Sequence, residues 1–301
     1  MLELRNPRIA VPVVLFAGLL WSFGPLVVRY MDNPHLVPWQ YIFGRGLTIF
    51  ILLNLYLFFE EGKNFYKNYY KIGLSGIIGG SGLGVAMITF IYSITNTSAA
   101  VTLLCLAAMP FFTALLAFLF LKEKISLSVW ISIIIATAGI LIMAVGNSGE
   151  KSFIGFIFGL TSSIGFSIFS VTLRWRKETP KFTTVAFSGL FCLVFASIVI
   201  IANDLVFFST SYNGTLFSLH GTLVCFGLIL YSIGSKAIPA AELTLLSLTE
   251  VIGGIFWVWV PIFGINEVPS TNTIIGGFFL FVSLFYYSLI MRWNKRYIAL
   301  N

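Results

Sequence analysis

Two ionisable residues lie deep inside long apolar stretches of this 301-residue chain: Arg45 within residues 37–58 and Glu250 within 239–264. A charge at the centre of a membrane helix costs roughly 2.5–3.5 kcal/mol on insertion scales, so it needs a partner or a water-filled cavity. Arg45 is about eight residues into its stretch, or ~12 Å at the helical rise, and Glu250 about eleven residues into its own, or ~16 Å. Both approach the bilayer midplane. Their opposite signs admit two chemistries: a structural ion pair joining distant parts of the chain, or a site where Arg45 attracts a substrate carboxylate while Glu250 attracts an amine or carries a coupling proton. Trp21 and Tyr92 flank repeated segments and complete the candidate substrate-binding set. Glu242, a turn into its stretch beside Pro239, suits a helix N-terminus and is read as structural.

Other chemistries lack their residues. No span carries paired aspartates, and His35 and His220 fall at predicted span ends, so the nucleophile, base or metal cluster of an intramembrane hydrolase cannot be assembled near the midplane. No GxxxxGK[ST] loop cradles nucleotide phosphates. Cys105, Cys192 and Cys225 all fall in predicted spans without CxxC spacing, which suits small apolar packing rather than disulfides or metal. No cofactor is implied.

The elements that must hold Arg45 and Glu250 are membrane helices. The chain is 58% hydrophobic and 10% charged, against about a quarter charged in soluble domains. Ten spans are predicted near 9–28, 37–58, 72–92, 97–121, 127–146, 153–173, 182–202, 219–236, 239–264 and 271–291, leaving no room for a separate soluble domain. The first, with Trp21, Pro25 and Arg29 at its far end and no small-residue cleavage pattern, is read as a retained helix rather than a signal peptide.

With a cytoplasmic N-terminus, Arg5, Arg8, Lys63, Lys67, Lys71, Lys122, Lys124, Arg174, Arg176, Lys177, Lys181, Lys236, Arg292, Lys295 and Arg296 all fall on the cytoplasmic side. Arg29 and Lys151 alone fall outside, and Arg45 is intramembrane. Topology and anionic lipid thus account for the net charge of +7, with no case for nucleic-acid binding.

The chain also repeats itself at an offset of about 141. Gly18-Leu19-Leu20-Trp21-Ser22-Phe23-Gly24 is echoed by Gly159-Leu160-Thr161-Ser162-Ser163-Ile164-Gly165, and Ala99-Ala100 with Leu104 by Ala240-Ala241 with Leu245. Each copy, residues 1–146 and 147–301, holds five spans. An odd number inverts the second copy in the bilayer, as in many secondary transporters. Across the copies Arg45 aligns with Ser188 and Glu250 with Met109, so each copy carries one midplane charge that the other lacks.

Gly76, Gly80 and Gly84 clear one face of the third span for close packing, or for a smooth surface that slides during transport. Helix breakers recur at Gly24-Pro25, Pro110, Gly253-Gly254 and Pro261. These are tolerated in a bilayer where neighbours or cavity water satisfy the freed backbone.

Trp21-Ser22-Phe23-Gly24, Arg45, Tyr92-Ser93-Ile94, Ser98-Ala99-Ala100, Pro110 and Leu121-Lys122-Glu123-Lys124-Ile125 together resemble the EamA-type transporters of the drug/metabolite transporter superfamily. The second copy adds Tyr231-Ser232-Ile233, Ala240-Ala241, Thr249-Glu250-Val251 and Glu267 with Ser270. The resemblance implies an all-α polytopic membrane protein of ten helices, with cytoplasmic termini, in a bacterial inner membrane. It further implies a central cavity and export of amino acids, other small metabolites or toxic compounds.

This chain departs from the family pattern in two places. Glu250-Val251 stands where Glu-Pro is usual, which removes an expected kink. Three residues around Pro261-Ile262-Phe263 are inserted at the outer end of the ninth span. The combined expectation is a secondary transporter of amino acids or related metabolites, export favoured, with rocking helices around Arg45, Trp21, Tyr92 and Glu250. Its partners are a small-molecule substrate, the lipid bilayer and a coupling proton. The oligomeric state is not legible. An uptake carrier or an organic-cation exporter is the alternative within the class, and a non-transporting scaffold or receptor the alternative outside it.

Overall fold

The computed structural model describes residues 7–122, 126–146, 149–176 and 178–300. Arg5, Glu123, Lys124 and Lys177 lie outside the described residues, as do the side chains of Arg8, Arg292, Lys295 and Arg296. Among the described residues the fold is all-α. Its elements are α1 (Pro7–Ser22), α2 (Gly24–Arg29), α3 (Pro38–Glu61), a short α4 (Lys67–Lys71), α5 (Gly73–Asn96), α6 (Ala99–Leu106) and α7 (Met109–Leu121). There follow α8 (Leu127–Gly146), α9 (Glu150–Trp175), α10 (Lys181–Ala202), α11 (Ser211–Gly234), α12 (Ala240–Leu246), α13 (Thr249–Trp259) and α14 (Thr271–Leu300). They compose ten stretches long and apolar enough to cross a membrane, from Ile9–Arg29 to Thr271–Leu289.

Three of these spans are interrupted: the first at Phe23, the fourth at Ala107 and Ala108, and the ninth at Ser247 and Leu248. Pro110 is the second residue of α7, where its missing N–H leaves no helix bond unmade. The break in the ninth span corrects the expectation that Val251 in place of proline removes the kink. Thr244 Oγ1 donates to the Ala241 carbonyl (3.0 Å), Ser247 Oγ to Thr244 (2.8 Å) and Thr249 Oγ1 to Leu246 (3.3 Å). Such hydroxyl back-bonding competes with the helix ladder and bends it. The turn tightens to three-residue bonds, Glu250 N to Ser247 O and Val251 N to Leu248 O, both 3.0 Å. The fourth span does the same, with Phe111 N bonded to Ala108 O at 3.0 Å.

Helix pairing exchanges between the two halves. The third span packs on the sixth, as the first packs on the eighth; the second on the eighth, as the seventh on the third; the first on the ninth, as the sixth on the fourth. The pairs second–seventh, fourth–ninth and fifth–tenth are their own counterparts. Facing glycines permit the closest of these approaches. A Cβ on Gly46 would lie 3.0 Å from the Gly189 carbonyl, and one on Gly139 would lie 2.6 Å from the Gly276 carbonyl. The Gly46–Gly189 contact places Arg45 opposite Ser188 across the halves, as the sequence alignment has them.

Gly76, Gly80 and Gly84 do not form a smooth track. They are notches that seat Thr184, Phe187 and Phe191 of α10, while Gly82 meets Gly165 of α9 on another face. Pro261 opens an exposed 3₁₀ turn, Pro261–Phe263, closed by Gly264 at φ +73°. Tyr30 donates to the Phe263 carbonyl (2.6 Å), and the chain then doubles back so that Glu267 N bonds the Val258 carbonyl (3.0 Å). This turn thereby brings Glu267 beside the end of α2.

Candidate functional site

Arg45 sits one turn after Tyr41 on the buried face of α3. Gly44 lets Phe217 of α11 approach, a Cβ there falling 2.9 Å from its ring, and Gly46 admits α10 on the other side. Arg45 is 3% exposed. Its Nη2 donates to the Met87 carbonyl at 2.5 Å, and it lies 5.7 Å from the centre of the Tyr41 ring, within cation–π range. Its other N–H groups have no protein partner among the described residues.

Glu250 is the second residue of α13, where the partial positive charge of a helix N-terminus favours a carboxylate. It forms no ion pair with Arg45. An ion pair forms elsewhere, between Arg29 and Glu267, and no described residue donates a hydrogen bond to the Glu250 carboxylate. Yet Arg45 and Glu250 line one cavity, together with Trp21, Ser162, Phe166, His220 and the apolar Leu83, Ala86, Met87, Phe90, Leu106, Met109, Val224 and Leu228. These come from seven of the ten spans.

The cavity measures about 60 Å³, against roughly 300–1,000 Å³ for sites that hold small molecules. It is a contracted site with room for little more than water. Trp21 bounds it through an Nε1 bond to the Val224 carbonyl (3.3 Å) and ring contacts with Phe166 (5.6 Å) and Tyr231 (5.5 Å). Tyr231 in turn is bonded to Ser170 at 2.7 Å. Trp21, Phe166 and Tyr231 thus form one aromatic group beside the cavity.

At the distal end, Arg29 ties the first span to the third and fourth and to the connection between the ninth and tenth. Its Nε meets Glu267 at 2.7 Å, and its Nη1 and Nη2 donate to the Ile94 (2.8 Å) and Thr97 (3.2 Å) carbonyls. Glu267 also accepts from Ala99 N at 2.6 Å.

Of the residues expected from sequence, the structure brings Arg45, Glu250 and Trp21 together and does not bring Tyr92. The Tyr92 ring lies between Trp39 (5.2 Å) and Phe158 (5.3 Å), away from the cavity. Gly76, Gly80 and Gly84 pack the third span, Pro110 marks the break beside Met109, and Pro261 is remote. His220 is the residue that sequence reasoning missed. It falls not at a span end but at the tenth position of α11, 2% exposed, hydrogen-bonded through Nδ1 to the Tyr41 hydroxyl. The signal available was Thr210 three residues before Asn213: its hydroxyl accepts from Asn213 N (3.0 Å) and starts the helix two turns earlier than hydropathy indicates.

Residues 8–145 match the model of the EamA-like transporter family. Two relatives from Helicobacter pylori, strains J99 and 26695, each described as an uncharacterized transporter, are 27% identical over 206 residues, covering 67% of this chain and 67% of theirs. An uncharacterized transporter of Clostridium kluyveri is 31% identical over 113 residues, covering 36% of this chain and 35% of its own. A solved crystal structure superposes with a TM-score of 0.65 over 95% of this chain and 99% of the other, at 15% identity, a likeness of fold alone.

Proposed function

We propose that this chain, an EamA-type member of the drug/metabolite transporter superfamily, moves apolar amino acids across the bacterial cytoplasmic membrane, in the direction of export. The observation that carries the reading is that Arg45 and Glu250 face one cavity without bonding each other. Two buried opposite charges kept apart are complementary to a zwitterion: a carboxylate on the free guanidinium N–H groups, an ammonium on the carboxylate. Trp21, Phe90, Phe166 and the surrounding aliphatic side chains suit an apolar substrate body. An organic cation fits less well, because Arg45 would oppose it.

The exchange of packing partners between residues 1–146 and 147–301 supports an inverted repeat and transport by alternating access. A cavity this small must widen to admit cargo. It can do so toward the N-terminal, cytoplasmic side by parting the Trp21–Tyr231 group, and toward the distal, outer side by releasing Arg29 from Glu267. A proton exchanging with the ammonium on Glu250 would couple flux to the proton gradient. Purified protein in liposomes, given a panel of labelled amino acids in counterflow, tests this. At least one apolar amino acid should exchange, and Glu250→Gln should lower that flux at least about tenfold in folded protein. Flux of none of the panel, or an undiminished rate in the variant, would contradict the reading.

A further inference from the structure

The structure assigns His220 as a substrate-recognition residue that shares the substrate's carboxylate with Arg45, an inference resting on the amino-acid reading above. Tyr41 fixes the proton of this histidine. Its side chain is fully buried, and among the described residues its hydroxyl has one hydrogen-bond partner, His220 Nδ1. If Nδ1 carried the proton and donated, the hydroxyl would accept and its own hydrogen would be left without an acceptor inside the protein, at the full desolvation cost of an unmade bond. The satisfied arrangement has Tyr41 O–H donating to an unprotonated Nδ1. In a neutral imidazole the proton is then on Nε2.

Nε2–H has no protein acceptor among the described residues, and His220 lines the same cavity as Arg45. The surrounding backbone is cut to hold the ring there. Gly24, at the break in the first span, leaves space that a Cβ would fill 2.6 Å from Nε2. Gly221, beside His220, lets α11 approach the Arg45 carbonyl, a Cβ there lying 3.2 Å away. A fixed N–H donor and a guanidinium with free N–H groups, carried by two residues that line one cavity from two spans, can form a two-point receptor for an oxyanion. Tyr41 acts through His220: it sets the tautomer and touches no substrate.

The chain has two histidines, and His35 is exposed in a loop, so ¹⁵N-histidine labelling in a His35→Gln background reports His220 alone. The expected spectrum of the substrate-free protein has a protonated Nε2 and an unprotonated Nδ1. L-phenylalanine and 3-phenylpropionate should move the Nε2 resonance, and phenethylamine, which lacks the carboxylate, should not. In liposomes His220→Ala should raise the KM for phenylalanine about tenfold and leave phenethylamine unchanged, while His220→Gln, whose amide can still donate, retains much of the wild-type value. Gly24→Ala, which displaces the ring without removing it, should act in the same direction as His220→Ala.

Protonation on Nδ1 would overturn the assignment, as would phenylalanine transport with a silent His220 resonance. Silence toward all three compounds with the Nε2–H tautomer intact would overturn the amino-acid reading and the carboxylate role of His220 together.

Discussion

Two arginine–glutamate couples, Arg29 with Glu267 and Arg45 with Glu250, are built in opposite ways. Arg29 and Glu267, each about one-fifth exposed, close to 2.7 Å and fill their remaining valences with backbone groups of the third and fourth spans. Arg45 and Glu250, deeper in the bundle, face the same cavity and stay apart. The same residue types serve two purposes, and what separates them is whether hydrogen-bonding capacity is consumed by the protein or left open. The satisfied couple fastens helix ends; the open couple has capacity for a ligand. A buried ion pair joining the halves was one expectation for Arg45 and Glu250, and the bridge instead forms at the distal rim.

The comparison sharpens if the rim couple is loosened. Glu267→Gln removes a charge-assisted bond worth roughly 1.5–3 kcal/mol, enough to shift a two-state equilibrium by about tenfold or more. The expected outcome is correspondingly faster labelling of Phe90→Cys, in a background without the native cysteines, by a membrane-impermeant thiol reagent added from the distal side. Substrate specificity should stay unchanged. If Glu267→Gln altered which substrates are carried and left labelling alone, the division between fastening and binding would fail. A smaller effect is expected at Tyr92, whose ring meets Trp39 and Phe158 rather than the cavity. Tyr92→Phe should change flux by less than about twofold, and a large loss in counterflow would return Tyr92 to the site.

The ten spans and the two midplane charges were legible because the bilayer imposes one-dimensional rules: about 20 apolar residues per crossing and a high cost per buried charge. What escaped depends on three-dimensional detail. Tyr92 is two residues beyond Phe90, about 200° around the helix, and hydropathy does not say which face of α5 turns to the cavity. The break in the ninth span was hidden because side-chain hydroxyls make it rather than proline. His220 was hidden because the first turns of α11, Ser211-Tyr212-Asn213-Gly214-Thr215, are polar enough to look like loop. Arg29 was read as a basic residue at a span end. Its partner Glu267 is brought to it by the turn at Pro261–Phe263, which a one-dimensional reading registers only as three extra residues.

The central claim, that Arg45 and Glu250 receive opposite ends of one molecule, is tested most directly by the binding of L-phenylalanine, phenethylamine and 3-phenylpropionate to wild-type, Arg45→Gln and Glu250→Gln protein. The account predicts a crossed pattern. Arg45→Gln should keep phenethylamine and lose 3-phenylpropionate, Glu250→Gln should do the reverse, and both should weaken phenylalanine. Equal loss of all three ligands in both variants would mean that the two charges support each other rather than a substrate, and would contradict the claim.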